Sequence, residues 1–341
     1  MVNKLIKSWW NWLRWEPNDP RLRAGGMIKI AAIGGGTGLS TLIRGLKKYS
    51  NNISAIVAVT DDGASSGKIR KEYDILPPGD LRKCISALAV DEVLLTKIFE
   101  YRFSSDKKIF GGHSLGNIWL TALANQLGSL DRAIEATSGI FKLAGQVLSA
   151  TPRKIRLRAK FSDGTMGAGE SKISRAGKTI ERIWLDKKNV RANKNAVLAI
   201  DQADLILIGP GSLYTSVIPN LLISGITKAV LANKKAVKIY IANCSTERGE
   251  TEHYGVSEHI ETLQKYSSKR IVKHCLVNSR VMQCSANDSK LGEVNNITTS
   301  EKKIAGVKIS RHNVVSAKDP LYHDPDKLAK AVIEIYNSSK L

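Results

Sequence analysis

Two adjacent carboxylates, Asp61 and Asp62, end an apolar run and lead into Gly63-Ala64-Ser65-Ser66-Gly67. A cluster of glycines, Gly34-Gly35-Gly36-Thr37-Gly38, precedes them by about 25 positions, which is where a doubly wound nucleotide site brings an acidic residue to a ribose hydroxyl. The same carboxylates have the oxygen chemistry to hold Mg²⁺ against phosphates. A solvated acidic turn is the plain alternative. Ser65, Ser66 and the flanking glycines read as a flexible loop closing over a ligand.

The glycine cluster itself follows the apolar run Ile30–Ile33 and precedes the amphipathic stretch from Leu39, so it reads as strand, tight turn, helix. Glycines let the backbone approach a ligand without Cβ clash. The helix start aims unpaired N–H groups and its positive dipole end at the turn, which makes Gly35, Gly36, Thr37 and Gly38 a phosphate cradle. A ligand-free structural turn is the competing reading. No Lys follows Gly38, so this is not a Walker loop. The G-x-G-x-x-G fingerprint is broken as well, since its third glycine falls on Leu39 or Thr41.

Four more segments share this character. Pro77-Pro78-Gly79-Asp80-Leu81-Arg82 opens a helix, with Asp80 as the expected N-cap and Arg82 in the first turn within reach of an anion. Gly111-Gly112-His113-Ser114-Leu115-Gly116-Asn117 is a second glycine turn into a helix, where His113 offers a hydrogen bond to a phosphate or hydroxyl. The run Leu205–Ile208 ends in Gly209-Pro210-Gly211-Ser212-Leu213-Tyr214-Thr215. It supplies a second cradle, hydroxyls on Ser212 and Thr215, and a ring on Tyr214 to stack on a base. Two cradles suit a ligand with two phosphates, or one phosphate and a base. Finally, Asn243, Thr246 and Glu250 follow another strand, with Tyr254 at the next helix start. Asn243 is placed to read a base or sugar edge and Glu250 a sugar hydroxyl. No residue stands out as a catalytic base.

These segments need a frame that brings strand ends together. Strands are expected at Ile28–Ile33, Ile53–Thr60, Asp204–Ile208, Val237–Ala242 and His274–Val277. Helices are expected near Asp80–Leu88, Leu94–Arg102, Leu115–Gln126, Asp131–Phe141, 193–202, 213–224, Val256–Lys265 and Lys327–Tyr336. This alternation predicts an α/β, Rossmann-like, doubly wound and mostly parallel sheet, with ligands at the carboxyl ends of its strands. Residues 151–190 break the pattern. Ile155 to Phe161 alternates with period two and Asp163-Gly164 is a hairpin signal, so a small antiparallel β insertion is expected there. Few elements are legible across 278–315.

The domain organisation read from this is a leader, 1–26, and one domain, 27–341. The leader holds Trp9, Trp10, Trp12 and Trp15. On a helix, Val2, Leu5, Ile6, Trp9, Trp12 and Leu13 share a face opposite Lys4, Lys7 and Arg14, a pattern that suits a membrane interface or docking on a protein surface. The 341 residues carry a formal net charge of +21 at a mean hydropathy of −0.16. No nucleic-acid-binding motif accompanies that charge, so nucleic acid is not an expected partner. Cys84, Cys244, Cys275 and Cys284 are scattered without a C-x-x-C pair, which points to a reducing cytoplasm. No apolar run is long enough to span a bilayer.

Taken in order, GGGTGLS (34–40), DDGASSG (61–67), PPGDLR (77–82), GHSLGN (112–117), GPGSLYTS (209–216), the NxxTxxGET remnant (243–251) and LVNS (276–279) resemble one family. It is the CofD-like superfamily, and within it the YvcK-type gluconeogenesis factors. The resemblance spans about residues 28–340 and implies a regulatory protein that binds UDP-N-acetylglucosamine or a related nucleotide sugar. It further implies a role in cell shape and peptidoglycan precursor supply on gluconeogenic carbon sources. A protein partner in cell-wall regulation and a homo-oligomer are further expectations, and the amphipathic leader adds to the cytoplasmic location a peripheral one at the inner membrane face through residues 1–15. CofD relatives are instead transferases that build a phosphodiester with a divalent metal. That alternative makes Mg²⁺ the expected cofactor, held by Asp61 and Asp62; the regulatory reading needs none.

The chain departs from the family pattern at four places. Ala64 stands where DDGGSSG has Gly, and Lys83 where Asn is usual after PPGDIR. Asn243 to Thr251 replaces NVMTQPGET, with the helix tyrosine falling on Tyr254. An expected C-terminal Arg has no counterpart around Leu291–Ile297.

Overall fold

The structure is a computed structural model that describes residues 28–90, 94–280 and 295–340. The Trp-rich leader, Cys284 and most of the stretch examined for a C-terminal Arg lie outside the described residues. In chain order the elements are β1 (Ile30–Gly34), α1 (Gly36–Leu46), β2 (Ile53–Val57), α2 (Ala64–Glu72), α3 (Gly79–Leu88), α4 (Leu95–Glu100), α5 (Leu115–Leu127), α6 (Leu130–Phe141) and β3 (Gln146–Ser149). They continue with β4 (Leu157–Phe161), β5 (Met166–Ala168), α7 (Glu170–Ser174), β6 (Ile180–Leu185), α8 (Lys194–Gln202) and β7 (Leu205–Ile208). A π-helical turn, Leu213–Val217, leads into α9 (Ile218–Leu221), α10 (Ser224–Ala232), β8 (Val237–Ile241), α11 (Val256–Lys265), β9 (His274–Asn278), β10 (Lys303–Ile304), β11 (Val307–His312) and α12 (Pro325–Ser338).

Eight strands form the main sheet in the order β10-β11-β9-β8-β7-β1-β2-β3, and all pair in parallel except the β10–β11 edge. Such strands are covered on both faces and read as continuous apolar runs. Accordingly β1 (IAAIG), β2 (ISAIV) and β7 (LILI) are buried at every position. From β1 the chain moves outward to β2 and β3, then returns to lay β7 on the other side of β1, with Ile33 in register with both Ile56 and Ile208. The strand order reverses there, so the loops after β1 and β7 open a crevice at the carboxyl edge. The small antiparallel sheet, β5-β4-β6, interrupts the chain between β3 and β7.

Three sequence expectations are corrected. The Ser65-Ser66 segment is a helix, α2, and not an open loop. The helix expected near 213–224 is a π turn and a short α9, followed by α10; Ile223, in extended backbone, separates them. Within 278–315 the chain forms β10 and β11, and β11 pairs with β9 from Lys308↔His274 to His312↔Asn278. Among the described residues no single helix is long and apolar enough to cross a membrane.

Candidate functional site

The crevice is built around two glycine loops in backbone contact. A Cβ on Gly38 would lie 2.7 Å from the Pro210 carbonyl carbon and oxygen. The loops therefore close on each other only because that position has no side chain. Gly209, at φ 79°, and Gly211, at φ 142°, hold conformations that favour glycine. Asn243 fixes the second loop from β8, accepting from Gly211 N and donating to Gly211 O, both at 3.1 Å.

The start of α1 is open. Gly35 is its N-cap and makes no side-chain cap bond, and no acidic residue stands in the first turn. By contrast Ser114, Ser129, Asn193 and Asp324 each cap their own helices. The N–H groups of Gly36, Thr37 and Gly38 are thus unengaged by a cap, at the positive end of an eleven-residue helix. Thr37 is exposed and Gly36 half-buried.

The second cradle is already filled by the chain itself. Glu250, 7% exposed, accepts from Tyr214 N (3.3 Å), Thr215 Oγ1 (2.8 Å) and Ser174 Oγ (2.7 Å). It therefore neutralises the start of the π turn. Tyr214 is buried, with its hydroxyl 2.6 Å from that of Tyr254 and its ring edge-on to Tyr254 and Tyr266. It is not a free stacking platform; Tyr254, half-buried, is the ring nearer solvent.

Carboxyl groups ring the α1 start. Asp80 is the second residue of α3, not its N-cap, which is Pro78. One Asp80 oxygen lies 3.1 Å from where a Gly35 Cβ would sit, and the other meets Lys83 Nζ at 3.2 Å. Asp61 accepts from Gly63 N at 2.8 Å; burial, then the charge of Asp80, raises its pKa. Glu170 of the β insertion accepts from Thr60 Oγ1 at 3.2 Å. Burial followed by Asp80, Asp61 and Glu250 raises it well above the carboxylate range. Burial also raises Glu250. Burial and then Glu250 push Glu247 up to about 8, against the hydrogen bond from Ser212. Carboxyls that retain protons both donate and accept, which suits the hydroxyls of a ribose or hexose.

Opposite this group stands a hydrogen-bonded trio. Ser65 Oγ lies 3.0 Å from His113 Nδ1 and accepts from Asn117 Nδ2 at 2.9 Å. Asn117 Oδ1 is buried without a partner among the described residues. Burial, then Lys68, lowers the His113 pKa. Ser66 lies against Gly79, whose Cβ would reach its Oγ at 2.4 Å.

Several expected ligand residues take structural roles instead. Asp62 accepts from Ser171 N (2.9 Å) and Oγ (2.8 Å) and so caps α7. The structure thus does not bring Asp61 and Asp62 together as a joint Mg²⁺ clamp. Among the described residues no group of three or more His, Cys, Asp or Glu side chains is arranged to hold a metal ion. Arg82 is 4% exposed and paired with Glu100 of α4; burial and then Arg102 lower its pKa to about 10. Ser114 is a helix cap, and Thr246 accepts from Asn295 N at 3.0 Å. Sequence reading assigned no role to Glu170, Glu247 or Ser216, whose Oγ is 3.8 Å from a Gly36 Cβ position. Only tertiary folding carries Glu170 of the insertion back to β2.

The family model of 2-phospho-L-lactate transferase CofD matches residues 30–317. A gluconeogenesis factor of Halalkalibacterium halodurans is 40% identical over 89% of this chain and 95% of its own. One of Bacillus subtilis is 38% identical over 90% and 98%. A Bacillus halodurans crystal structure, 39% identical, superposes with a TM-score of 0.85 over 90% of this chain and 99% of that chain. The chain belongs to the CofD family, among the gluconeogenesis factors.

Proposed function

We propose that this protein binds a nucleotide sugar of the UDP-N-acetylglucosamine class in the crevice between β1 and β7, and that the bound state regulates cell-wall precursor supply during gluconeogenic growth. The observation that carries the reading is the uncapped start of α1 at the strand-order switch. It offers N–H groups and a positive dipole end to a diphosphate. The carboxyls of Asp61, Asp80 and Glu170 suit the sugar hydroxyls. Asn117 Oδ1 supplies a buried acceptor for a ring N–H or hydroxyl. The relatives in H. halodurans and B. subtilis are gluconeogenesis factors by name, which supports the physiological part.

The name of the family model favours a second reading, a Mg²⁺-dependent transferase. The divergence of Asp61 from Asp62 weighs against it. A crystal structure with UDP-N-acetylglucosamine separates ligand placements. The proposal expects diphosphate oxygens about 3 Å from the Gly36–Gly38 amides. Placement elsewhere would contradict it.

A further inference from the structure

Helix α3 carries the crevice carboxylate Asp80 and is buried at every position except Lys83. Lys83 follows Asp80 by three positions, so the two side chains share a face of the helix. Lys83 Nζ meets Asp80 Oδ1 at 3.2 Å, and the lysine side chain stays 36% exposed. Asp80 turns its other oxygen toward the start of α1, 3.1 Å from a Gly35 Cβ position. A single carboxylate therefore separates the ammonium group from the uncapped amides. The second cation of α3 is not available in this way, because Arg82 is 4% exposed and consumed by Glu100. Arg70 of α2 donates to the Ile155 carbonyl.

An ammonium group has three N–H donors. Asp80 Oδ1 takes one, and Lys83 has no second partner among the described residues, so two donors remain for a ligand. The surroundings are otherwise acidic. Burial and then Asp80 raise the Asp61 pKa, and the charge of Lys83 opposes that rise. A diphosphate arriving beside Asp80 meets like charge at short range, and a cation at the same place offsets that repulsion. Asn117, 2% exposed, is an independent sign that the crevice takes a ligand. Its Oδ1 is buried with no hydrogen-bond partner among the described residues.

We propose that Lys83 is the cation that receives the diphosphate of the nucleotide sugar, bridging Asp80 and a phosphate oxygen, in the place a divalent ion fills at many phosphate sites. The assignment rests on the nucleotide-sugar reading of the crevice. Lysine binds phosphate as a compact point charge, and Asp80 positions it by fixing one of its donors.

The test is calorimetric titration of the full chain with UDP-N-acetylglucosamine in EDTA, at low and high salt, beside Lys83→Gln and Lys83→Arg. Circular dichroism melts verify that both variants are folded. Lys83→Gln keeps the length of the side chain nearly intact and removes its charge. It is expected to weaken binding at least about tenfold and to flatten the salt dependence that the wild type shows. Lys83→Arg keeps the charge and is expected to retain most of the affinity. Wild-type binding that Lys83→Gln leaves unchanged, or a loss that is equal at both salt concentrations and shared by Lys83→Arg, would overturn the role of Lys83 alone. A wild-type chain that binds no UDP-N-acetylglucosamine would overturn the nucleotide-sugar reading along with it.

Discussion

Ala64 sits at the first position of α2 with φ 37°, in the region of backbone space that favours glycine. An alanine there holds a left-handed conformation that costs about 1–2 kcal/mol. Ala64→Gly is expected to raise unfolding stability by about 1 kcal/mol in urea, and an unchanged or lowered midpoint would contradict the strain. At this scale the sequence was partly legible. Glycines and hydroxyls marked which residues gather at the crevice. They did not disclose which side chains would be consumed internally. Arg82, Asp62 and Glu250 look like ligand groups by type and position, yet each is held by Glu100, by Ser171, or by Tyr214 and Thr215. A buried charge needs a partner, and the partners come from α4, the β insertion and the π turn, segments distant in sequence.

The helices and strands show which local patterns are sufficient. Continuous apolar runs announced β1, β2 and β7, and period-two alternation announced β4. Short or polar edge elements, β3, β10 and β11, were not legible, because their pairing is decided by the neighbouring strand. The packing of α1 on α12 depends on a feature no periodicity shows. A Cβ on Gly45 would lie 1.9 Å from the Pro325 carbonyl oxygen and 2.8 Å from Ala329 Cβ. Alanine in a helix interior ordinarily gains about 1 kcal/mol over glycine. Here the backbone contact reverses the sign, and Gly45→Ala is expected to destabilise by about 1–3 kcal/mol. A stabilised variant in the same denaturant series would show that the helices separate freely.

For the molecule as a whole, the half-buried and buried carboxyls at the crevice make stability depend on pH. Glu247 titrates at about 8 in the folded chain against an ordinary 4.5. Its native pKa is raised, so the folded state binds the proton more tightly and is favoured below about 4.5. That advantage is lost as pH rises through about 8. Glu170 and Glu250 shift in the same direction. Melting temperature is therefore expected to fall between about pH 4.5 and pH 8, and the slope to shrink in Glu247→Gln. A rising or flat profile that the variant leaves unchanged would refute this. A diphosphate at α1 adds charge to an already acidic rim, so the open helix end must outweigh repulsion from Asp80. Calorimetric titration of the chain with UDP-N-acetylglucosamine, with and without Mg²⁺, measures that balance directly. The account predicts saturable, metal-independent binding that Tyr254→Ala weakens, with no product formed. Absence of binding, or binding only with Mg²⁺ and followed by turnover, would contradict it.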